Sequence, residues 1–336
     1  MPDMFTVASK EFSDIVRGRR FLILVVVFGL VMTAAVATTY LTGMQAATRP
    51  GQVGLARGFL GAAGNNLVTM MGYFAPVMGL ALGVDAISGE KEKGTLKITL
   101  AQPVFRDTLI NGKFLAALFA ISLATGIASL VNVGGSMLVL GITPTGEDAA
   151  RLMLFLLFAI VFAMTYYGIA ALLSTVSRRT TQAVIIGVML WAVFTFVIPI
   201  VASVVAMALA PMPAGFGRLG NFTFQPGGNF TRGGFSPGEL ETYQAAARAQ
   251  AAITTSIQSI APNYHFNQVA RYMLNLPRYT SFGIGGGIVL GVGGGTPTLT
   301  IMQSLSYAWP NMLVLVLATV IMFIASYMLF TRQEIR

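Results

Sequence analysis

Six long apolar runs dominate the pattern of hydrophobic and polar positions. They occupy residues 21–41, 67–86, 114–140, 152–176, 183–210 and 307–330. Each is about 20 residues or longer, enough to cross a hydrocarbon core of about 30 Å as a helix. Almost no charge interrupts them. In lipid the backbone has no water to bond, so each run is expected to be a helix that satisfies its own N–H and C=O groups. The pattern predicts an all-α polytopic membrane protein with six transmembrane helices, working in or across a bilayer.

The segments between the runs carry their own signals. In residues 3–20, Phe5, Ala8, Phe12 and Ile15 recur at helical spacing, with Ser9, Lys10, Ser13, Asp14 and Arg17 opposite. This predicts an amphipathic helix lying in the membrane interface. Its apolar continuation is longer than the 7–15 residues of a signal-peptide core, so it reads as a retained first helix. Residues 86–113 hold a charged cluster, Glu90-Lys91-Glu92-Lys93, which is expected to sit in water. Gly94-Thr95 then offers a helix start with Thr95 as N-cap, Leu96 and Leu100 lie one turn apart, and Pro103 ends the turn. A short helix with one apolar edge between charged flanks suits the docking of a soluble partner. The plainer alternative is a solvated charged loop.

The segment 211–306 is far longer than an ordinary connection. Residues 211–237 are rich in Gly, Pro, Asn and Phe and read as irregular. Ser236-Pro237-Gly238-Glu239 is a helix start, so 240–260 is predicted to be an exposed helix, and 263–276 a second one. Residues 281–296 are apolar but dense in glycine, which favours a packed loop or re-entrant edge over a seventh span. The expected organisation is a cytoplasmic amphipathic helix at 1–20, and transmembrane helices 1–5 at 21–210 with the loop 86–113. An enlarged external loop domain follows at 211–306, then helix 6 and a tail at 307–336. The external domain is expected to form a compact cap able to receive an external partner.

Charge supplies the orientation. The chain is 55% hydrophobic and only 10% charged, against about 25% charged in soluble domains. Its net charge of +9 is better explained by topology and contact with anionic membrane lipid than by nucleic acid. Six spans put both termini on one side. If that side is the cytoplasm, 13 basic residues, including all five lysines, fall inside. Only Arg49, Arg57 and Arg151 fall in short outside loops. This predicts a multi-pass protein of the cell membrane with both termini cytoplasmic.

Several chemistries lack their residues. There is no cysteine, and the single histidine, His265, cannot build a metal cage alone. The only Gly-Lys, Gly112-Lys113, is followed by Phe114 and lacks the upstream glycine of a nucleotide-binding loop. No His-Glu-x-x-His or Gly-x-Ser-x-Gly occurs. The chain is therefore expected to be no enzyme, with no catalytic, cofactor or metal residues. No carboxylate lies mid-span, which weighs against a self-powered carrier. The mid-span polar residues Asn132, Thr165, Tyr166, Tyr167 and Thr195 are candidates for a substrate pathway, against the reading that each joins two helices.

A family resemblance enters at the inside loop. Gly89-Glu90-Lys91-Glu92-Lys93-Gly94-Thr95-Leu96, then Gln102-Pro103-Val104-Phe105-Arg106, then Gly112-Lys113, resembles the signature of type-2 ABC transporter permeases. The opening Lys10-Glu11-Phe12 and the ending Phe330-Thr331-Arg332-Gln333-Glu334-Ile335-Arg336 are also similar to that family. The resemblance covers the whole chain except the enlarged outer loop, and Thr99 stands where the family usually has leucine. It implies a permease subunit paired with a second one, the same chain or a paralogue. It also implies two copies of a separate cytoplasmic ATPase, which bind the ATP and Mg. Glu90, Lys91, Glu92, Lys93, Gly94, Thr95, Leu96, Leu100, Pro103 and Arg106 would form the coupling helix and its flanks. Members mostly export, and include copper-processing and sodium- or drug-export permeases. The alternatives are a stand-alone channel or ion-coupled carrier, and a scaffold acting through its external loop.

Overall fold

The computed structural model describes residues 3–47, 58–94, 105–141, 143–211, 237–276 and 299–332. Every regular element among them is helical. In order they are α1 (Met4–Arg17), α2 (Arg19–Ala47), α3 (Gly58–Gly83), α4 (Ser88–Glu92), α5 (Arg106–Leu140), α6 (Gly146–Val176) and α7 (Thr180–Ala192). A π-helical segment (Val193–Val197) precedes α8 (Ile198–Leu209), α9 (Pro237–Gln258), α10 (Pro262–Met273) and α11 (Ile301–Arg332). Six stretches are long and apolar enough to cross a membrane, as the hydropathy pattern requires. Their helices extend past the apolar runs where polar caps continue the ladder. At the start of α6, Thr145 Oγ1 accepts from the Asp148 N–H at 3.2 Å, and Asp148 accepts from the Thr145 N–H at 2.8 Å. At the end of α5, Gly141 takes the left-handed conformation with φ 64°.

The chain divides into two compact units. The first comprises Met1–Ala192, Pro262–Arg278 and Thr296–Arg336; the second comprises Val193–Ala261 and Tyr279–Gly295. The later half of the fifth span groups with α9, and α10 with the start of α11 belongs to the first unit.

The first unit is organised on the crossing of α3 and α6. Gly79 and Gly83 are four residues apart on one face of α3. A Cβ at Gly79 would fall onto the Ala163 carbonyl, and one at Gly83 would lie 2.6 Å from Ala170 Cβ and 2.7 Å from the Tyr167 carbonyl. The facing side of α6 is built from Ala159, Ala163, Ala170 and Ala171, all buried. Lipid tails are as apolar as leucine, so burial alone does not bring helices together there. Close backbone approach through small residues does. Gly168 serves α11 in the same way, since a Cβ there would meet Met322 Cβ at 2.9 Å. Helix α6 is thus a central post, touched by α3, α5, α7, α10 and α11.

Helix α10 corrects an expectation. Residues 263–276 read as an exposed external helix, yet α10 packs against α3, α6 and α11 with Asn263, Phe266, Val269, Ala270 and Met273 buried. The Tyr166 hydroxyl donates to Asn263 Oδ1. Phe266 stacks on Phe162 with centroids 4.3 Å apart. At the other end, Arg151 donates to the Met273 carbonyl and Ser304 Oγ, both at 3.1 Å, to Glu147 at 2.8 Å, and to the Leu299 carbonyl. Helix α10 therefore runs antiparallel to α6 between the levels of Tyr166 and Arg151, a rise of about 22 Å along α6. It lies packed against the apolar span of α6. Its polar residues suggested solvent, but they are satisfied locally: His265 Nδ1 lies 2.8 Å from Asn311 Oδ1, and Asn267 donates to the Asn263 carbonyl at 2.9 Å. A polar group bonded in place removes most of the cost of its burial.

In the second unit, Pro199 lacks the N–H that would bond the Thr195 carbonyl, and the ladder widens there into the π segment. Gln250 of α9 donates to the Ala210 carbonyl at 2.7 Å, closing α9 onto the end of α8. The predicted start of α9 at Pro237 agrees with the structure, while its cap Ser236 lies outside the described residues. So do the Phe-rich stretch 212–236 and the glycine-dense stretch 281–296.

The α3–α6 crossing makes a sharp contrast between two glycines. Gly83→Val must push two backbones apart and is expected to abolish the monodisperse peak in fluorescence-detected size exclusion. Gly72 on the same helix has nothing within 4 Å of an added Cβ. Gly72→Ala should be neutral, or stabilising by up to about 1 kcal/mol through helix propensity. Equal behaviour of the two variants would refute the crossing.

Candidate functional site

The site forms where α1, α4, α5 and α6 meet. Helix α1 starts at Asp3, whose carboxylate accepts from the Met4 N–H at 2.7 Å, and lays its apolar side on α5 with Ala8 buried. The crossing point is Gly112, where a Cβ would lie 2.7 Å from Val7 Cγ1. The next residue, Lys113, places its ammonium 2.9 Å from Glu11 of α1 and 2.5 Å from Glu90 of α4. Its side chain is only 8% exposed. One cation is therefore shared by carboxylates from two other elements. Burying such a charge costs several kcal/mol unless opposite charges and hydrogen bonds surround it, and here they do. The Tyr167 hydroxyl donates to the Lys113 carbonyl at 3.3 Å. Phe114 packs edge-on against Tyr167 and Phe323, at 4.9 and 4.5 Å.

Helix α4 is pinned to the end of α6. Ser174 Oγ accepts from the Ile87 and Ser88 N–H groups at 3.1 and 2.8 Å. Lys91 donates to the Thr175 carbonyl at 2.6 Å. Just before α4, Asp85 pairs with Arg20 at the start of α2. Just after it, Gly94 takes a left-handed φ of 69°, a conformation that favours glycine.

The predicted coupling residues divide into four groups. Glu90 and Lys91 face inward onto Lys113 and Thr175, whereas Glu92 and Lys93 are exposed. The expectation that the whole charged cluster sits in water is thus corrected: Lys113 supplies the countercharge that lets Glu90 leave solvent. Thr95, Leu96, Leu100 and Pro103 lie outside the described residues. Arg106 opens α5 and donates to the Thr331 carbonyl at 3.4 Å.

The five candidate pathway residues are not brought together. Thr165 bonds Thr319 of α11 at 2.7 Å, Tyr166 bonds Asn263 of α10, and Tyr167 bonds the Lys113 carbonyl of α5. Each joins α6 to a different helix. Asn132 is buried on α5, and its amide has no partner among the described residues; the hydroxyls of Ser129 and Ser136 on the same helix share that state. Thr195 lies in the π segment of the second unit.

Sequence reasoning missed the roles of Glu11, Lys113, Ser174 and Arg151. Glu11 and Lys113 stood in noted motifs, but 102 positions separate them and no local pattern pairs them. Arg151 had a local signal, a carboxylate four residues earlier at Glu147 in a capped first turn.

Lys113→Met keeps the side-chain length but leaves Glu11 and Glu90 without their cation. The docking of α1 and α4 should weaken by about 3–5 kcal/mol, the cost of breaking a buried pair. Amide hydrogen exchange should rise in 4–17 and 88–92 and stay unchanged in 262–273. Unaltered protection of α1 would show that Lys113 does not hold it.

Residues 5–335 match the family described as ABC-2 family transporter protein. The chain is also similar to two curated relatives, each named probable ABC transporter permease protein NosY. The one from Pseudomonas aeruginosa is 32% identical over 191 residues, covering 54% of this chain and 65% of the relative. The one from Stutzerimonas stutzeri is 26% identical over 205 residues, covering 60% of this chain and 70% of the relative. The chain thus spans just under two thirds of the length of the Pseudomonas relative. The family match runs from α1 to the last residues of the chain and takes in every element of the Lys113 site, so this multi-pass membrane protein belongs to the ABC-2 family of transporter proteins.

Proposed function

We propose that the chain is the membrane permease subunit of an ABC transporter, and that it exports its substrate using ATP hydrolysed by a separate cytoplasmic ATPase. The observation that carries this reading is α4, a short element bonded through Ser174 and Thr175 to the end of α6 and through Lys113 to the start of α5. A push on residues 88–103 would reach α5 and α6 directly through these bonds, and α1 through the Glu11 pair with Lys113. Glu92 and Lys93 are exposed for contact with the ATPase, while Glu90 and Lys91 hold the element to the bundle. The permease names of the two relatives support the same role. The functional unit pairs this permease with a second copy or a paralogue, and with two ATPase subunits that carry ATP and Mg. Both termini lie in the cytoplasm of the cell membrane, as the distribution of basic residues favours.

Two experiments test the reading. The chain has no cysteine, so single cysteines at Lys97 and Gln244 report topology without background. Membrane-impermeant maleimide should reach position 244 from outside and position 97 only after permeabilisation. Labelling of both from outside would overturn the orientation. Leu96→Asp should remove a co-purifying ATPase that carries a nucleotide-binding loop, because a charge would replace an apolar docking contact. Glu90→Gln should instead loosen α4 from the bundle. If Leu96→Asp retains the ATPase and wild-type transport, the docking assignment fails.

A further inference from the structure

Between α1, α2, α3 and α4 lies a pocket of about 560 Å³, with Glu11 and Lys113 in its lining. Its lining is half apolar, with Ile15, Phe21, Ala81 and Leu82, and half charged. Four carboxylates line it, and each already has a cation. Glu11 and Glu90 share Lys113, Asp85 pairs with Arg20, and Asp14 lies 3.9 Å from Lys10. Two further lining cations, Arg19 and Lys93, have no carboxylate partner among the described residues. Both are exposed. The pocket thus combines five cations, one more than its carboxylates, with an apolar wall, at the point where α1 gives way to the first span at Arg19.

We infer that this pocket binds the phosphate headgroup of an anionic phospholipid, with the glycerol and upper acyl chain against Phe21, Ala81 and Leu82. Three considerations support that ligand. Lys10, Arg17, Arg19 and Arg20 crowd just before a membrane span, where basic clusters attract anionic lipid. A pocket between helices with two exposed lining cations, Arg19 and Lys93, outside its ion pairs suits a lipid phosphate. The mixed lining excludes a purely apolar occupant, and the apolar wall is not needed for a free ion. The headgroup would lie against both α1 and Lys93 just after α4, so the lipid would join the interfacial helix to the segment that α4 begins.

Native mass spectrometry of the purified full chain tests this. The protein is titrated with phosphatidylglycerol, phosphatidylcholine and inorganic phosphate in separate arms. Wild type should bind phosphatidylglycerol in preference to phosphatidylcholine. Arg19→Gln with Lys93→Gln should cut that preference by about tenfold or more, and each single variant by less. Both side chains are exposed, and the single variants stand in if the double one fails to fold. Arg17→Gln removes an exposed cation that does not line the pocket, and should leave the preference unchanged. An equal loss in Arg17→Gln would mean diffuse attraction to the surface and overturn the site. Displacement of phosphatidylglycerol by millimolar inorganic phosphate would assign the pocket to a free anion and overturn the lipid. None of these readouts requires an ATPase, so failure here is distinct from failure of the transport reading.

Discussion

The contact on which the bundle depends is the approach of α3 to α6 through Gly79 and Gly83. In water, apolar helices would be driven together from any direction. In a bilayer they are not, and association rests on how closely two backbones can come. Glycine on α3 meets alanine on α6, and the main chains touch. With that crossing set, α6 can present its remaining faces to α5, α10 and α11. The residues that look most like substrate contacts in the sequence, Thr165 and Tyr166-Tyr167, are spent on these faces, one helix each.

At one end of α6 the organising force changes from packing to charge. Lys113 sits where glutamates from two elements that precede it in the chain, α1 and α4, can both reach it. The Gly112-Lys113 pair has a clear division of labour. The glycine lets α1 lie close on α5, and the lysine then locks α1 and α4 to the same helix. The charged segment around α4 therefore has two faces, one inward and structural, the other open to solvent. The coupling role proposed for this segment would need that combination.

At the other end of the first unit, Arg151 plays the matching part. It ties the last turn of α10, Leu299 just ahead of α11, and the first turn of α11 to the start of α6. Asn275, at φ 50°, turns the chain out of α10 and accepts the Leu299 N–H at 3.4 Å. Helix α10 is thus fastened at both ends, at its start by Tyr166 and at its last turn by Arg151.

The sequence by itself determined the class of the protein and the number of its spans. Those follow from a local rule: about 20 apolar residues must become a helix in lipid, whatever surrounds them. It also determined the amphipathic character of α1 and the start of α9, which rest on neighbours within a few residues. Tertiary structure alone decided which polar residues face a partner. The spacing of 263–276 is that of a helix with a polar side, and that pattern suits solvent as well as the bonds to Asn311 and Tyr166 that the fold supplies. Glu90 reads as a solvated charge until Lys113 is brought beside it from 23 residues away. A polar group's environment depends on what lies opposite in space, and hydropathy along the chain carries no term for it.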